Sequence, residues 1–136
     1  MVINLDNFFN SKNKDSKTGD FQDLDHIDGL SISTTSANLY GNKRDDLVLF
    51  YFRDGANHAS VYTQSKIISE NIKWNLNLKG NSIKALLVNT RNANAFTGKL
   101  GFKGITQIAE ELSKRLTIKM SEDEEKKNSV KSNEIL

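Results

Sequence analysis

The sequence predicts an α/β chain of the α+β type, in which a mixed, largely antiparallel sheet carries helices on one face. Two strand-like runs, residues 30–35 and 47–52, are separated by a polar turn at 42–46 that is too short to hold a crossover helix. A further strand-like run, Ile83–Val88, is followed by an amphipathic segment that reaches Leu116. Tightly joined strands followed by a helix with one apolar stripe favour a sheet covered on one side.

The first two strands are predicted to form a hairpin. In the first, Leu30, Ile32 and Thr34 alternate with polar residues, as in a half-buried strand. The second run, 47–52, is apolar on both faces and rich in residues with high β propensity, which predicts a central strand buried from both sides. After a polar loop, residues 59–63 predict a short additional strand.

A short helix is predicted between that strand and Ile83. Ser69 is suited to cap a helix that runs from Glu70 to about Leu78, and the pair Gly80-Asn81 is suited to end it.

A longer helix is predicted to begin near residues 101–104. It places its apolar side chains on one stripe, which consists of Phe102, Ile105, Ile108, Ala109, Leu112 and Leu116. On its solvated face, Glu110 with Lys114 and Glu111 with Arg115 have the i, i+4 spacing of ion pairs. We therefore interpret the stripe as part of the core.

The chain divides into three zones by composition. Residues 1–25 are rich in Asn, Asp, Lys and Ser and are predicted to form a flexible N-terminal arm. Residues 26–118 carry the α/β pattern. Residues 119–136 are predicted to be a charged linker, centred on 121–128, followed by the start of a further strand at the Ile135-Leu136 ending.

The composition argues against several functions. The 136 residues contain 19 Lys and Arg against 17 Asp and Glu, and no long basic run supports nucleic-acid binding. Cysteine is absent, which excludes disulfides, thiol nucleophiles and thiolate metal sites. His26 and His58 lack metal-ligand spacing, and each is expected to be solvated or locally hydrogen-bonded. Since no segment resembles a leader or a membrane span, we expect a cytoplasmic protein without membrane contact.

The most informative segment is 86–102, where an apolar strand pattern gives way to an asparagine-rich loop, a Thr-Gly pair and a helical pattern. Asparagine side chains tolerate unusual backbone angles and hydrogen-bond their own main chain, so Asn89, Asn92 and Asn94 predict a stiff polar loop. A free N–H at the start of the following helix could receive a developing negative charge. The residues alone favour a polar strand-to-helix turn without chemistry, because such turns outnumber functional sites.

Residues 88–98 read Val-Asn-Thr-Arg-Asn-Ala-Asn-Ala-Phe-Thr-Gly. This segment resembles the V-N-S-G-N-A-N-A-x-T-G signature of the bifunctional ornithine acetyltransferase / glutamate N-acetyltransferase family of arginine biosynthesis. It departs from the signature at Thr90, in place of Ser, and at Arg91, in place of Gly, and it has Phe96 where Cys is frequent. Weaker agreement extends over about 28–116.

The resemblance implies a four-layer αββα (DmpA/ArgJ-like) enzyme that is made as one precursor and cuts itself before a threonine in an A-T-M-L motif. That threonine is the nucleophile, and an S-T-G-x-I-G motif precedes the cut. Neither motif occurs in this sequence. We therefore expect the N-terminal part of the α chain, inactive by itself, whose partner is the remainder of the precursor, or β chain, in an α2β2 hetero-oligomer.

The resemblance also implies a reaction and a site. In the family, an acetyl group moves from N2-acetylornithine to the threonine and then to glutamate; acetyl-CoA is a substrate only in bifunctional members, and no metal or organic cofactor is implied. The family's Thr-Gly pair, which stabilises the oxyanion, matches Thr97 and Gly98, so the Thr97 hydroxyl and the Gly98 N–H are the expected donors. Asn89, Asn92 and Asn94 are expected to support the loop.

Two departures and two alternatives bear on this expectation. Arginine at position 91 resists the positive φ that the family's glycine can adopt, and Phe96 adds bulk beside the expected oxyanion hole.

One alternative function is that of an N-terminal-threonine aminopeptidase-like hydrolase. The other is a non-catalytic remnant that serves as a binding or assembly module.

Overall fold

The computed structural model of the protein describes residues 25–41, 44–117 and 129–136. Its elements in chain order are strand β1 (Leu30–Thr35), strand β2 (Leu47–Asn57), helix α1 (Glu70–Asn77), strand β3 (Ser82–Asn89), helix α2 (Gly98–Leu116) and a 3-10 turn (Ser132–Glu134). The predicted N-terminal arm, apart from Asp25, and the charged segment 121–128 lie outside the described residues.

The three strands form one sheet in the order β1-β2-β3, and both pairs are antiparallel, which confirms the predicted hairpin and the largely antiparallel sheet. The end of the chain adds a parallel bridge between Ile135 and Ala85 on the other edge of β3. Two backbone bonds fix this bridge, from Leu136 N–H to Ala85 O at 3.0 Å and from Leu87 N–H to Leu136 O at 2.9 Å. The three-stranded sheet itself is antiparallel throughout, and this bridge is the one parallel contact that the described residues add to it.

The prediction of a strand at 59–63 is wrong. Instead, β2 continues to Asn57 through an irregularity in register between Tyr51 and Ala56, and residues 58–65 form no regular element. The reason is the lack of a neighbouring strand: β3 begins at Ser82, the partner of Asn57, so the chain beyond this point has no ladder to join. Val61, in the middle of the predicted strand, is 98% exposed.

The two faces of the sheet differ in what covers them. On one face, Leu49, Tyr51 and Ala85 pack against α1 and α2. This face carries the core, whose fully buried members are Ala85, Ala109, Val130 and Ile135, with Leu49, Tyr51, Trp74, Leu112 and Leu116 packed against them. Both helices thus lie on one face of the sheet, as the sequence predicts.

The opposite face of the sheet is also apolar. Cross-strand pairing places on it Leu30, Ile32, Val48, Phe50, Phe52, Leu86 and Val88. We call these seven residues the open sheet face, because within the described part of the chain none of them reaches full burial. The residues of β2 that face the helices are half-buried as well, so the prediction that residues 47–52 are buried from both sides is wrong. The open sheet face has the composition of a surface on which another layer packs.

The helices differ from prediction at their ends. Helix α1 occupies the predicted range, but the Ser69 hydroxyl makes no capping hydrogen bond. Helix α2 begins at Gly98, about one turn before the predicted start. Ile108, predicted to lie on its core stripe, is 55% exposed, because the positions that face the sheet are those of Ala109, Leu112 and Leu116.

Of the two ion pairs predicted on α2, Glu111 with Arg115 forms at 2.8 Å. The pair of Glu110 with Lys114 is not among the ion pairs of the described residues. The two helices contact each other through Trp74 and Phe102, whose ring centroids lie 5.9 Å apart. This contact holds the start of α2 against α1.

Candidate functional site

The asparagine loop, residues 90–97, connects β3 to α2 through an unusual backbone path. Arg91, Asn94 and Phe96 all have positive φ, at 69°, 46° and 60°, and Gly98 follows at 56°. Asparagine enters this region at low cost, whereas Arg and Phe resist it, so the local path is imposed by surrounding contacts. Arg91 thus adopts the conformation for which the signature has glycine.

The three asparagines predicted to support the loop are brought together. The Asn89 carboxamide donates to Asn92 O at 3.1 Å, and the Asn92 carboxamide oxygen accepts the Asn94 N–H at 3.3 Å. The Asn94 carboxamide donates to Gly101 O at 3.4 Å. In these bonds asparagine side chains pair with main-chain groups of the loop and of the first turn of α2, which is how an asparagine-rich segment holds one shape.

Thr97 and Gly98 lie at the point where the loop enters α2. Thr97 occupies the N-cap position, but its hydroxyl makes no capping bond to the helix. Instead the hydroxyl donates to the Asn94 carboxamide oxygen at 2.6 Å and lies 3.3 Å from Asn94 O. The first backbone N–H groups of a helix have no intrahelical partner, so the Gly98 N–H and the Thr97 hydroxyl are two donor groups beside one another on an exposed surface.

Backbone conformation explains the glycine at position 98. A β-carbon added there would meet no atom within 4 Å, so neighbouring side chains do not exclude one. The φ of 56° is unfavourable for every residue with a side chain, and glycine adopts it freely. The positive φ sets the direction in which the chain enters the helix and hence the direction of the Gly98 N–H.

The asparagine loop is anchored at both ends by other elements. Thr90 N–H donates to Asp46 O at 2.9 Å, and Glu70 N–H, at the start of α1, donates to Asn94 O at 3.1 Å. The Asp46 side chain is itself 1% exposed and accepts the N–H groups of Ala37 and Leu39. The loop is therefore connected to the β1–β2 turn on one side and to α1 on the other. Sequence reasoning missed Asp46, because an acidic residue before an apolar run is common in turns.

Arg91 contacts the Tyr40 ring, which the sequence did not indicate. Its guanidinium carbon lies 5.0 Å from the centre of the Tyr40 ring, and that of Arg44 lies 4.6 Å from it. Such contacts with an aromatic ring are favourable by about 0.5–1 kcal/mol at exposed sites. The Tyr40 contact helps to offset the strain of a positive φ at Arg91.

Two cavities flank the asparagine loop and the start of α2. One, of about 750 Å³, is lined by Glu70, Lys73, Gly98, Lys99, Phe102, Lys103, Thr106, Gln107 and Glu110. The other, of about 450 Å³, lies between the helices and the sheet and includes Asn89, Asn92 and Asn94 in its lining. In the first, Lys73 pairs with the buried Glu70 carboxylate at 2.6 Å. Phe96 and Leu100 stand out beside the site at 84% and 81% exposure.

A perturbed pKa occurs away from this site. The Arg53 guanidinium, through a hydrogen bond and its charge, lowers the pKa of the Asp28 carboxyl, from which it lies 3.2 Å away. The same contacts with Asp28 and Asp54 raise the pKa of Arg53. These three side chains lie on the surface where the β1 hairpin begins, so they bear on local stability and not on the asparagine loop.

The histidines and acidic residues that the structure describes form no metal centre. His58 Nδ1 lies 3.0 Å from the Ser60 hydroxyl, and His26 is exposed to solvent. Within residues 25–41, 44–117 and 129–136, no group of three potential ligands from His, Cys, Asp and Glu comes together. In the same part of the chain, no helix has the length and apolar character needed to cross a membrane.

An antiparallel sheet with two helices on one face, and a stiff loop that presents a Thr-Gly pair at a helix start, define an α/β chain with a candidate site at a strand-to-helix junction. The model of the ArgJ family matches residues 31–130. This match covers most of the chain, and the chain belongs to the ArgJ family.

Named relatives agree with this assignment. The chain is 34% identical over 99 residues to the arginine biosynthesis bifunctional protein ArgJ of Caulobacter vibrioides, covering 70% of this chain and 25% of the relative. It is 40% identical over 80 residues to the protein of that name from Bradyrhizobium diazoefficiens, covering 58% and 19%. The chain therefore spans about a quarter or less of the length of these curated relatives.

Solved structures share the fold. The ornithine acetyltransferase of Mycobacterium tuberculosis, solved with ornithine, superposes with a TM-score of 0.66 at 21% identity, covering 79% of this chain and 53% of that one. The arginine biosynthesis bifunctional protein ArgJ of Bacillus halodurans superposes with a TM-score of 0.55 at 21% identity, covering 76% and 50%. At this identity the likeness concerns the arrangement of strands and helices.

Proposed function

We propose that this chain is the N-terminal part of the α chain of a glutamate N-acetyltransferase, which moves the acetyl group of N2-acetylornithine to glutamate, and that it contributes the oxyanion hole. The observation that carries the proposal is the pair of donors, the Thr97 hydroxyl and the Gly98 N–H, at an exposed helix start after a stiff loop. Membership of the ArgJ family supports acetyl transfer as the reaction in which this pair would act.

The chemistry requires donors that are fixed in advance. The acetyl carbonyl is attacked first by a threonine nucleophile and then by the amino group of glutamate, and each attack produces a tetrahedral intermediate with a negatively charged oxygen. The first intermediate collapses with loss of the ornithine amine, and the second with loss of the threonine oxygen. The Thr97 hydroxyl would turn from Asn94 to this oxygen, because a charged acceptor makes the stronger hydrogen bond. The Gly98 N–H would donate to the same oxygen without any rearrangement. Neither step needs a metal or an organic cofactor.

The nucleophile is proposed to come from a partner, the β chain that begins with threonine, in an α2β2 assembly in the cytoplasm. Two apolar surfaces support a covering partner: the open sheet face, and the pair Phe96 and Leu100 beside the donors. A second sheet stacked on the open sheet face would produce the four-layer αββα fold. On this proposal residues 26–118 are the α/β domain, 1–25 are a flexible arm, and 119–136 are a charged linker followed by the start of a further strand.

The test uses the complete enzyme, meaning this chain together with the part that carries the nucleophile. Thr97→Ala removes one donor and should lower kcat by about 10²–10³-fold with a much smaller change in KM. Thr97→Ser keeps the hydroxyl and should retain far more activity. If the Ala variant matches the parent in both thermal midpoint and kcat, the oxyanion-hole assignment is refuted.

Substrate assays separate this function from the two alternatives. The complete enzyme should transfer acetyl from N2-acetylornithine to glutamate, and residues 1–136 alone should show no turnover above a heat-inactivated control. Release of amino acids from peptides would favour the aminopeptidase-like hydrolase. Absence of both activities in the complete assembly would favour a binding or assembly module. Repeating the assay with acetyl-CoA as donor would show whether the enzyme is bifunctional.

A further inference from the structure

Gly101 lies in the first turn of α2 at a position where the backbone does not require glycine. It is not among the residues with positive φ, and it lies inside the helix. A β-carbon added to Gly101 would nevertheless overlap the Thr97 hydroxyl oxygen and the Asn94 carboxamide oxygen, and would lie 2.7 Å from the Thr97 β-carbon. The space that a side chain would occupy is already filled by the two residues that form the site.

This close approach distinguishes Gly101 from the other glycines of the described residues. A β-carbon on Gly104, one turn further along the same helix, would meet no atom within 4 Å. On Gly29 and Gly55, the nearest atoms would lie at 3.4 and 3.5 Å, which is ordinary contact. The restriction at Gly101 therefore arises from Thr97 and Asn94, and is not a general property of how α2 packs.

We propose that Gly101 is a positioning residue for the oxyanion hole: its lack of a side chain allows the Thr97 hydroxyl to lie against the first turn of α2. This inference rests on the proposed function. Three bonds link the residues in a closed set, from the Thr97 hydroxyl to the Asn94 carboxamide oxygen, from the Asn94 carboxamide to Gly101 O, and from Gly101 N–H to Thr97 O at 3.5 Å.

The consequence of a side chain at position 101 follows from this geometry. An added methyl group would force Thr97 to rotate about χ1 or the loop to retreat, and either change displaces the hydroxyl from its place beside the Gly98 N–H. A misplacement of about 1 Å in a catalytic group lowers the rate by about 10²-fold. Substrate affinity should change little, because the hydroxyl acts on the charge that develops during the reaction.

The experiment compares Gly101→Ala with Gly104→Ala in the complete enzyme. Gly101→Ala should lower kcat by about 10²-fold with KM within a few-fold of the parent. Gly104→Ala has open space and good helix propensity, so it should keep parental kcat and an equal or higher thermal midpoint. If the two variants agree in kcat within about threefold, Gly101 has no positioning role.

A second comparison shows whether Gly101 acts through Thr97. In an enzyme that already carries Thr97→Ala, the hydroxyl is gone, but the β-carbon at position 97 and the Asn94 carboxamide still lie where the added methyl group would be. Adding Gly101→Ala should therefore lower kcat by much less than it does in the parent. A further loss as large as the one seen in the parent would overturn the proposal, because Gly101 would then act by a different route. Thermal midpoints of all variants, measured alongside, separate lost activity from lost folding.

A structural readout separates this inference from the proposed function. Crystal structures of the complete enzyme and its variants report the χ1 angle of Thr97 without any assay of activity. We expect Gly101→Ala to change that angle and Gly104→Ala to leave it unchanged. An unchanged angle in Gly101→Ala would overturn the positioning role, whereas a fully active Thr97→Ala enzyme would refute the proposed function and leave the χ1 result standing.

Discussion

Asp46 offers the sharpest test of how the structure holds its site in place. The carboxylate is 1% exposed, its Oδ1 accepts the Ala37 N–H at 2.5 Å, and its Oδ2 accepts the Leu39 N–H at 2.7 Å. Its main chain adds a bond to Thr35 O at 3.2 Å and accepts the Thr90 N–H. One residue therefore closes the turn between β1 and β2 and also connects that turn to the asparagine loop.

Asp46→Asn preserves shape and removes one acceptor. The NH2 group of the buried asparagine side chain then faces a backbone N–H. One charge-assisted bond is lost, and the NH2 group is left as a buried donor without a partner. A hydrogen bond to a charged group contributes about 1.5–3 kcal/mol, and an unsatisfied buried group costs about 1–3 kcal/mol. Because the two terms overlap, we expect a loss of about 2–4 kcal/mol, a large fraction of the stability of about 5–15 kcal/mol that is typical of native proteins.

Urea unfolding followed by circular dichroism measures this loss, and the m value should remain unchanged if only stability is affected. Asp45→Asn is the matched control, because its exposed carboxylate accepts only the Thr34 hydroxyl, at 2.8 Å, among the described side chains. That variant should lose less than about 1 kcal/mol. If Asp46→Asn falls within about 0.5 kcal/mol of Asp45→Asn, the reasoning about the buried carboxylate is wrong.

Three further predictions concern the loop, the surface and the tail. Arg91→Gly should be more stable than Arg91→Ala by about 1 kcal/mol in urea unfolding, because both lose the Tyr40 contact and only glycine relieves the positive φ; equal stabilities would contradict the strain argument. The lowered pKa of Asp28 contributes stability that is present above its unfolded value and is lost as pH falls through the folded value; Arg53→Gln should raise that pKa toward 3.8 in an NMR titration, and an unmoved pKa would exclude Arg53 as the cause. Replacing 121–128 with a Gly/Ser linker of equal length should leave the activity of the complete enzyme within a few-fold, whereas strong hydrogen-exchange protection of this segment would show that it is not a linker.

Local patterns predicted most of the fold. Two strands are specified within their own segments, by the alternation at Leu30, Ile32 and Thr34 and by the apolar run from Leu47. Helix α2 is specified in the same way by its apolar stripe. The prediction of a strand at 59–63 was wrong because a strand requires a neighbour, and β3, which begins opposite Asn57, does not extend to that level of the sheet. A β-forming sequence cannot report whether its partner is present.

The candidate site likewise contains residues that the sequence indicated and residues that it did not. The signature indicated Thr97, Gly98 and the asparagines. The structure links Thr97 and the asparagines by hydrogen bonds, with Gly98 next to Thr97 in the chain, while their roles in catalysis stay predictions. Asp46 and Gly101 escaped the sequence reasoning, because their importance comes from contacts with residues that lie apart from them in the loop or in another turn. The early start of α2 was missed for a related reason, since Gly98 begins the helix with a positive φ that propensity alone disfavours.

The parallel bridge between Ala85 and Ile135 has a consequence for the order of folding. It joins residues separated by the whole of α2, and contacts of this kind form late because a long loop must close first. Trp74, the single tryptophan of the chain, donates its indole N–H to Ile135 O at 3.0 Å. Its fluorescence should therefore change in the slowest phase of refolding, after far-UV circular dichroism has already reported the hairpin and both helices.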